Sequence, residues 1–289
     1  LSRQVTDKGL TQLKLERENT ISSQIKLSNS KLAFGPLTSK DPSFLFSYCE
    51  GTRLMIRTRM MTGDQTPLKV APYCFDNNTV LVNVEDAKLY ILGGGEFATK
   101  NASLIDLRRD FALTDLPQML TRRCAYGAIY YRSYLYVVGG FEWHALDSCE
   151  RFNLQTNKWE ALETIPHASM DMTLEVLKTT ESLYCIGGAN DLIQVLNLKT
   201  LAWRINKVRL PSNSCTLSFK CEESRFYFIQ KKSLYLFSPI SNEISLLKQL
   251  QEGPSATASK AYYVKGTLYW VNPDGLEMRL QIGSLARSS

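Results

Sequence analysis

Long apolar runs are absent: no stretch approaches the ~20 residues needed to cross a bilayer. The opening residues, Leu1-Ser2-Arg3-Gln4, also lack the apolar segment of a signal peptide. Histidine is scarce. Only His144 and His167 occur, too few for a histidine-based copper site, and no His/Cys cluster has zinc spacing, so neither metal nor cofactor is expected. CxxC pairs are missing too. The seven cysteines fall mostly within strand-like patterns and read as reduced, buried thiols of a cytosolic or nuclear protein. No dense basic run appears: the formal charge of +6 is spread along the chain, which attracts acidic partners but does not point to nucleic acid. Gly93-Gly94-Gly95 is followed by no Lys-Ser or Lys-Thr and no helix signal, so it is not a phosphate loop.

What the chain does have is a recurring strand. Leu135-Tyr136-Val137-Val138-Gly139-Gly140 has counterparts at Leu89-Tyr90-Ile91-Leu92-Gly93-Gly94, 46 residues earlier, and Leu183-Tyr184-Cys185-Ile186-Gly187-Gly188, 48 residues later. Each is a β-branched and aromatic run ended by two glycines, a buried strand leaving through a turn that needs positive φ. That period fits the four-stranded blade of a propeller.

The third unit is the most complete. Residues 122–130 lead into its glycine strand, and residues 149–159 supply a further strand, a polar turn and Trp159. Residues 172–177, 193–198 and Trp203 repeat that order, and residues 79–82, 103–107 and Phe111 do so earlier. A second regularity is independent of the glycines: Phe152 to Trp159, Leu196 to Trp203 and Phe237 to Ile244 are each seven residues apart. It defines a fifth unit (215–219, 226–229, 234–237, 244–247), in which Gln230-Lys231-Lys232 replaces the glycine turn and shortens the loop. A degenerate first unit spans residues 43–70, and a sixth spans 261–280 and stops before a fourth strand. The alternating residues 11–27 are assigned to that missing strand, because a closed ring leaves no open end blade. The expected architecture is an all-β, six-bladed propeller closed by an N-terminal strand. Its segments are a closing segment 1–28, a propeller 29–284 and a tail 285–289.

The residues resemble kelch repeats. Gly139-Gly140, Glu150-Arg151-Phe152 and Trp159 match all three features of that pattern, while Gly187-Gly188 with Trp203 and Gly93-Gly94 with Phe111 match in part. The resemblance implies a β-propeller that serves as a protein-binding platform, in ubiquitin-ligase adaptors or attached to the cytoskeleton. The repeated residues are read as architecture: the aromatic after the polar turn packs between blades, and Glu150 and Arg151 satisfy loop backbone or one another.

Candidate functional residues are those the strand period does not require. Phe141, Trp143 and His144 sit in the loop after the third glycine turn, where aromatics beside charge suit a protein hot spot; Trp143 folding back over its blade is the structural alternative. Phe97, Asn190 and Asp191 occupy the matching loops of the neighbouring repeats. Arg122 and Arg123 either reach an acidic peptide or form internal salt bridges. The expected function is a non-enzymatic protein-interaction module, a substrate adaptor or a subunit of a larger cytoskeletal or ciliary assembly. Its partner would be a cytoplasmic protein with an acidic or apolar segment, not membrane. The alternative is a carbohydrate-active or small-molecule enzyme using acidic pairs in the central channel.

Overall fold

The computed structural model describes residues 30–33, 44–49, 54–59, 65–69, 78–84, 88–94, 97–107, 109, 112–213, 216–222, 224–250, 261–264, 267–271 and 277–281. Within them the chain is all β, folded as repeated antiparallel meanders in which sheet order follows chain order. The first sheet holds β1 (Ser30–Ala33), β2 (Phe44–Cys49), β3 (Leu54–Arg59) and β4 (Gln65–Lys69). The second holds β5 (Thr79–Val84), β6 (Lys88–Gly93), β7 (Ala102–Asp106) and β8 (Ala112–Asp115). The third holds β9 (Gly127–Tyr131), β10 (Tyr134–Val138), β11 (Cys149–Asn153) and β12 (Lys158–Leu162). The fourth holds β13 (Thr173–Leu177), β14 (Ser182–Ile186), β15 (Ile193–Asn197) and β16 (Trp203–Ile205). The fifth holds β17 (Thr216–Glu222), β18 (Arg225–Gln230), β19 (Ser233–Ser238) and β20 (Glu243–Gln249). The sixth has three strands, β21 (Ala261–Val264), β22 (Thr267–Val271) and β23 (Glu277–Gln281).

The first strands of successive sheets are neighbours: β1 lies against β5, β5 against β9, β9 against β13, β13 against β17 and β17 against β21. β1 also lies beside β22 of the sixth sheet. The expected closing strand at 11–27 falls outside the described residues, as do the segments 1–28 and 285–289.

The seven-residue spacing has a local cause. Phe152 faces Trp159, Leu196 faces Trp203 and Phe237 faces Ile244 across the third and fourth strands of their sheets. Between them Asn153 Oδ1 accepts the N–H groups of Gln155 and Thr156, and Asn197 Oδ1 accepts those of Lys199 and Thr200. These Asx turns close the loop. They end on residues with positive φ, Asn157 at 56° and Leu201 at 60°, and Asn242 takes the same conformation at 58° in the fifth sheet. In the second sheet the matching position is Leu113, opposite Ile105, whereas Phe111 lies outside the described residues.

Sheets pack face to face through aliphatic and aromatic layers. One core joins the second and third sheets through Val82, Tyr90, Leu135, Val137 and Phe152; another joins the third and fourth through Ile129, Val138, Leu174 and Val176. A third joins the fourth and fifth through Tyr184, Val195, Phe226 and Phe237. Each large side chain buried this way contributes roughly 1.5–3 kcal/mol. The tryptophans add a directed bond. Trp159 Nε1 donates to Pro117 O at 2.7 Å and Trp203 Nε1 to Glu163 O at 2.9 Å, so each ties its own sheet to the segment arriving from the sheet before. Cys149 and Cys185 are buried, free thiols of the middle core. Burial pushes the Cys149 thiol up to about 12 and raises that of Cys185 well above the ordinary range.

An antiparallel meander alternates its connections between two ends. Loops joining second to third strands, and segments joining one sheet to the next, share one end; the tight turns share the other. Leu201 is the one Asx-turn terminus here that is neither Asn nor Gly, and an L-residue pays roughly 1–2 kcal/mol in that conformation. Leu201→Asn is expected to raise the unfolding free energy by about 1 kcal/mol, read as a higher urea midpoint at constant slope.

Candidate functional site

Three loops converge at the end that carries the long connections. In the loop from β10 to β11, the backbone of Phe141 pairs with that of Cys124 in both directions, at 2.9 and 2.8 Å. Leu146 N then donates to Gly140 O, Ser169 N to Leu146 O, and Gly140 N to Ser169 O. This part of the loop is therefore stitched to the inter-sheet segments on both sides. A narrow turn remains at its tip, where Phe141 bridges Ala145 and Glu142 N reaches His144 O. The tip holds Trp143 at 86% exposure, so the fold-back alternative does not hold, and His144 beside it is exposed as well. Phe141 is only half-buried and stands at the base of the turn.

In the loop from β6 to β7, Thr99 and Arg123 pair backbone to backbone, and Phe97 is 75% exposed two residues away. Arg122 joins the two loops. Its Nε donates to Ala98 O at 3.3 Å and lies 3.8 Å from Glu142 Oε1, with the side chain 59% exposed. Phe97, Arg122 and Trp143 are thus brought to one place. Leu120, 46% exposed in the same inter-sheet segment, belongs with them and was not anticipated from the sequence, because a single leucine in a linker carries no periodic signal.

Asn190 and Asp191 occupy the matching loop of the fourth sheet, but their polar groups are engaged internally. Asn190 Oδ1 accepts Leu192 N–H, Asp191 Oδ1 pairs with Arg209 Nη1 at 2.8 Å, and Asp191 O accepts Leu210 N–H. In the fifth sheet only Lys231 and Lys232 separate β18 from β19, so that sheet lacks a long loop at this end.

Arg123 requires a correction. A role in partner binding is ruled out by its side chain, which is 0% exposed and paired with Glu150 at 2.8 Å. Adjacent residues point to opposite sides of the extended segment that pairs with Thr99, so Arg122 faces out and Arg123 faces in. The buried guanidinium also donates to Gly139 O, Ser148 O and Ser148 Oγ. Glu150 in turn accepts Leu120 N–H at 2.6 Å and Thr121 N–H at 3.2 Å. Glu150 therefore satisfies loop backbone as expected, with Arg123 as its cation; Arg151 pairs instead with Glu160 and covers the Tyr134 ring at 4.2 Å. The glycine turn must be tight for this clamp to form. Gly140 has φ +109°, and a Cβ there would meet Cys124 O at 2.7 Å.

The fourth sheet solves the same problem without charge. Gln194 holds the position of Glu150, two residues before the register residue (Leu196 here, Phe152 there), and bonds both His167 N and His167 O. The position of Arg123 is taken by buried Ser169. Removing one member of the Arg123–Glu150 pair strands the other as a buried charge. Arg123→Ser or Glu150→Gln alone is expected to cost about 3–5 kcal/mol in urea unfolding. The double variant, which removes both charges together, should recover at least half of the summed loss; simple additivity would show that the two residues are not coupled.

Among the described residues no group of three or more His, Cys, Asp or Glu side chains could hold a metal ion, and no helix is long and apolar enough to cross a membrane. The model of the Kelch motif matches residues 122–165, from the outward-facing arginine through the glycine turn, Glu150 and Trp159. Kelch-like protein 40 of Xenopus laevis is 29% identical over 129 residues, which is 44% of this chain and 20% of that relative. The chain thus spans about a fifth of the length of the curated relative it matches. With its repeated four-stranded meanders, paired glycines at positive φ and tryptophans bonded to the preceding inter-sheet segment, the chain is similar to kelch-repeat proteins, and the motif match itself covers residues 122–165.

Proposed function

We propose that this protein is a non-enzymatic platform that binds a protein partner on the face carrying Phe97, Leu120, Arg122 and Trp143. The observation that carries this reading is the exposure of two large aromatics, 75% for Phe97 and 86% for Trp143, on loops of adjacent sheets that are hydrogen-bonded through one inter-sheet segment. Leaving such side chains in water gives up roughly 1.5–3 kcal/mol each. A partner that covers them recovers it, and loops already fixed by backbone bonds lose little entropy on binding. His144, at the same tip, and Asn190 and Asp191, in the next loop, extend the rim.

We propose that the platform sits on a six-bladed ring whose seam lies where β1 runs beside β22. Removing residues 1–28 tests the closing strand expected from the sequence: it should lower the melting temperature by several degrees, and unchanged melting rejects that closure. Within the cell we assign the platform to a cytoplasmic assembly. Its role there is that of the substrate-recognising part of a ubiquitin ligase or of a subunit of a cytoskeletal or ciliary complex.

Affinity purification of the wild type beside a Phe97→Ala, Trp143→Ala double variant tests the assignment. The variant should fold with unchanged stability, since both side chains stand in solvent, and should lose its specific partners at least tenfold. Identical partner lists and recoveries would sink the proposed face, and the identity of the lost partners decides between the two assemblies.

A further inference from the structure

Arg122 holds its guanidinium in an unusual way for a surface arginine. The inner nitrogen, Nε, is the anchored one: it donates to Ala98 O at 3.3 Å and lies 3.8 Å from Glu142 Oε1. Among the described residues no acceptor meets either terminal nitrogen, and the side chain is 59% exposed. The two outer nitrogens therefore form an open, oriented fork. Such a fork matches the two oxygens of a carboxylate through a pair of parallel N–H···O bonds.

The surroundings limit what charge it can take. Arg123, next in sequence, is consumed by Glu150, and Arg209 is consumed by Asp191. Glu142 adds a negative charge beside Arg122. One partly compensated cation suits a single carboxylate and is a poor seat for a phosphate carrying nearly two charges. Apolar groups flank the fork on both sides. Phe97 neighbours Ala98, whose carbonyl anchors Arg122; Trp143 neighbours Glu142; and Leu120 lies two residues upstream.

We infer that the docking segment is an extended peptide in which one Asp or Glu seats on the outer nitrogens of Arg122 while apolar side chains on either side of it cover Phe97 with Leu120 and Trp143. This rests on the platform reading above and adds the chemistry of the occupant. The formal charge of +6 favours encounter with an acidic segment in the same sense.

Panning a randomised phage-displayed dodecapeptide library against the full chain, then measuring the enriched peptides by fluorescence polarisation, tests it. Enriched peptides should carry an acidic residue between apolar ones. Replacing that residue by its amide should weaken binding about tenfold or more, and in Arg122→Met the acid and amide peptides should bind equally. Glu142→Gln should tighten the acidic peptides two- to threefold, an effect that a merely structural role for Arg122 would not produce. Equal affinity of acid and amide peptides for the wild type would overturn the carboxylate assignment, as would tighter binding of a phosphoserine version. Both of those results leave the platform standing if Phe97→Ala, Trp143→Ala still abolishes binding. Peptides that bind that double variant as well as the wild type, or no enrichment at all, would overturn the platform and this inference together.

Discussion

The long-loop face depends on one buried contact, the pairing of Arg123 with Glu150. It links three strand-poor segments that would otherwise present unpaired backbone to the core: the arriving inter-sheet segment at Leu120 and Thr121, the glycine turn at Gly139, and the return to β11 at Ser148. Unmet buried polar groups cost roughly 1–3 kcal/mol each. A doubly used carboxylate and a fully buried guanidinium answer several of them at once. Charge is not required to meet backbone in this way, as Gln194 shows in the next sheet. What the ion pair adds is reach. Arg123 extends across to the glycine turn, whereas the Gln194 amide meets only the backbone of His167.

Local events explain why the repeat could be read from the chain with so little ambiguity, and where reading stopped. The paired glycines and the seven-residue interval are local events: a positive-φ exit and an Asx turn, each complete within a few consecutive residues. They placed β10, β11 and β12, and with them the strands of the fourth and fifth sheets. β1 was not anticipated, since Ser30-Lys31-Leu32-Ala33 is short and carries no alternation. Phe111 was matched by its composition, but the register position belongs to Leu113, because the turn in the second sheet is one residue longer.

The site was legible to the extent that residues exceeded what strands need. Phe97 and Trp143 stood out as aromatics in loops, and both are exposed. Arg122 and Arg123 could not be separated by inspection. Two adjacent arginines are chemically identical, and only the antiparallel pairing with Thr99 decides which faces the core and which faces solvent. Asn190 and Asp191 were chosen for their place in the loop. Their polar groups turn out to hold that loop together, a role that depends on Arg209 and Leu210, far away in sequence.

The opposite end of the sheets has an exposed apolar residue of its own, Ile240 at 81%, but carries paired charges at its turns. There the chain turns in two residues at Arg132 and Ser133, with φ of 44° and 64°, a hairpin geometry that matches strand twist. Glu181 on the next sheet accepts both Arg132 and Lys199, and Arg132 lies 5.2 Å from the centre of the Tyr131 ring. The charges at these turns are paired with one another across sheets. At the long-loop end, by contrast, Arg122 is held only by its inner nitrogen and two aromatics project from braced loops. The rigidity that the clamp confers on their loops is the property a binding surface needs, since side chains fixed in advance lose the least freedom when a partner arrives.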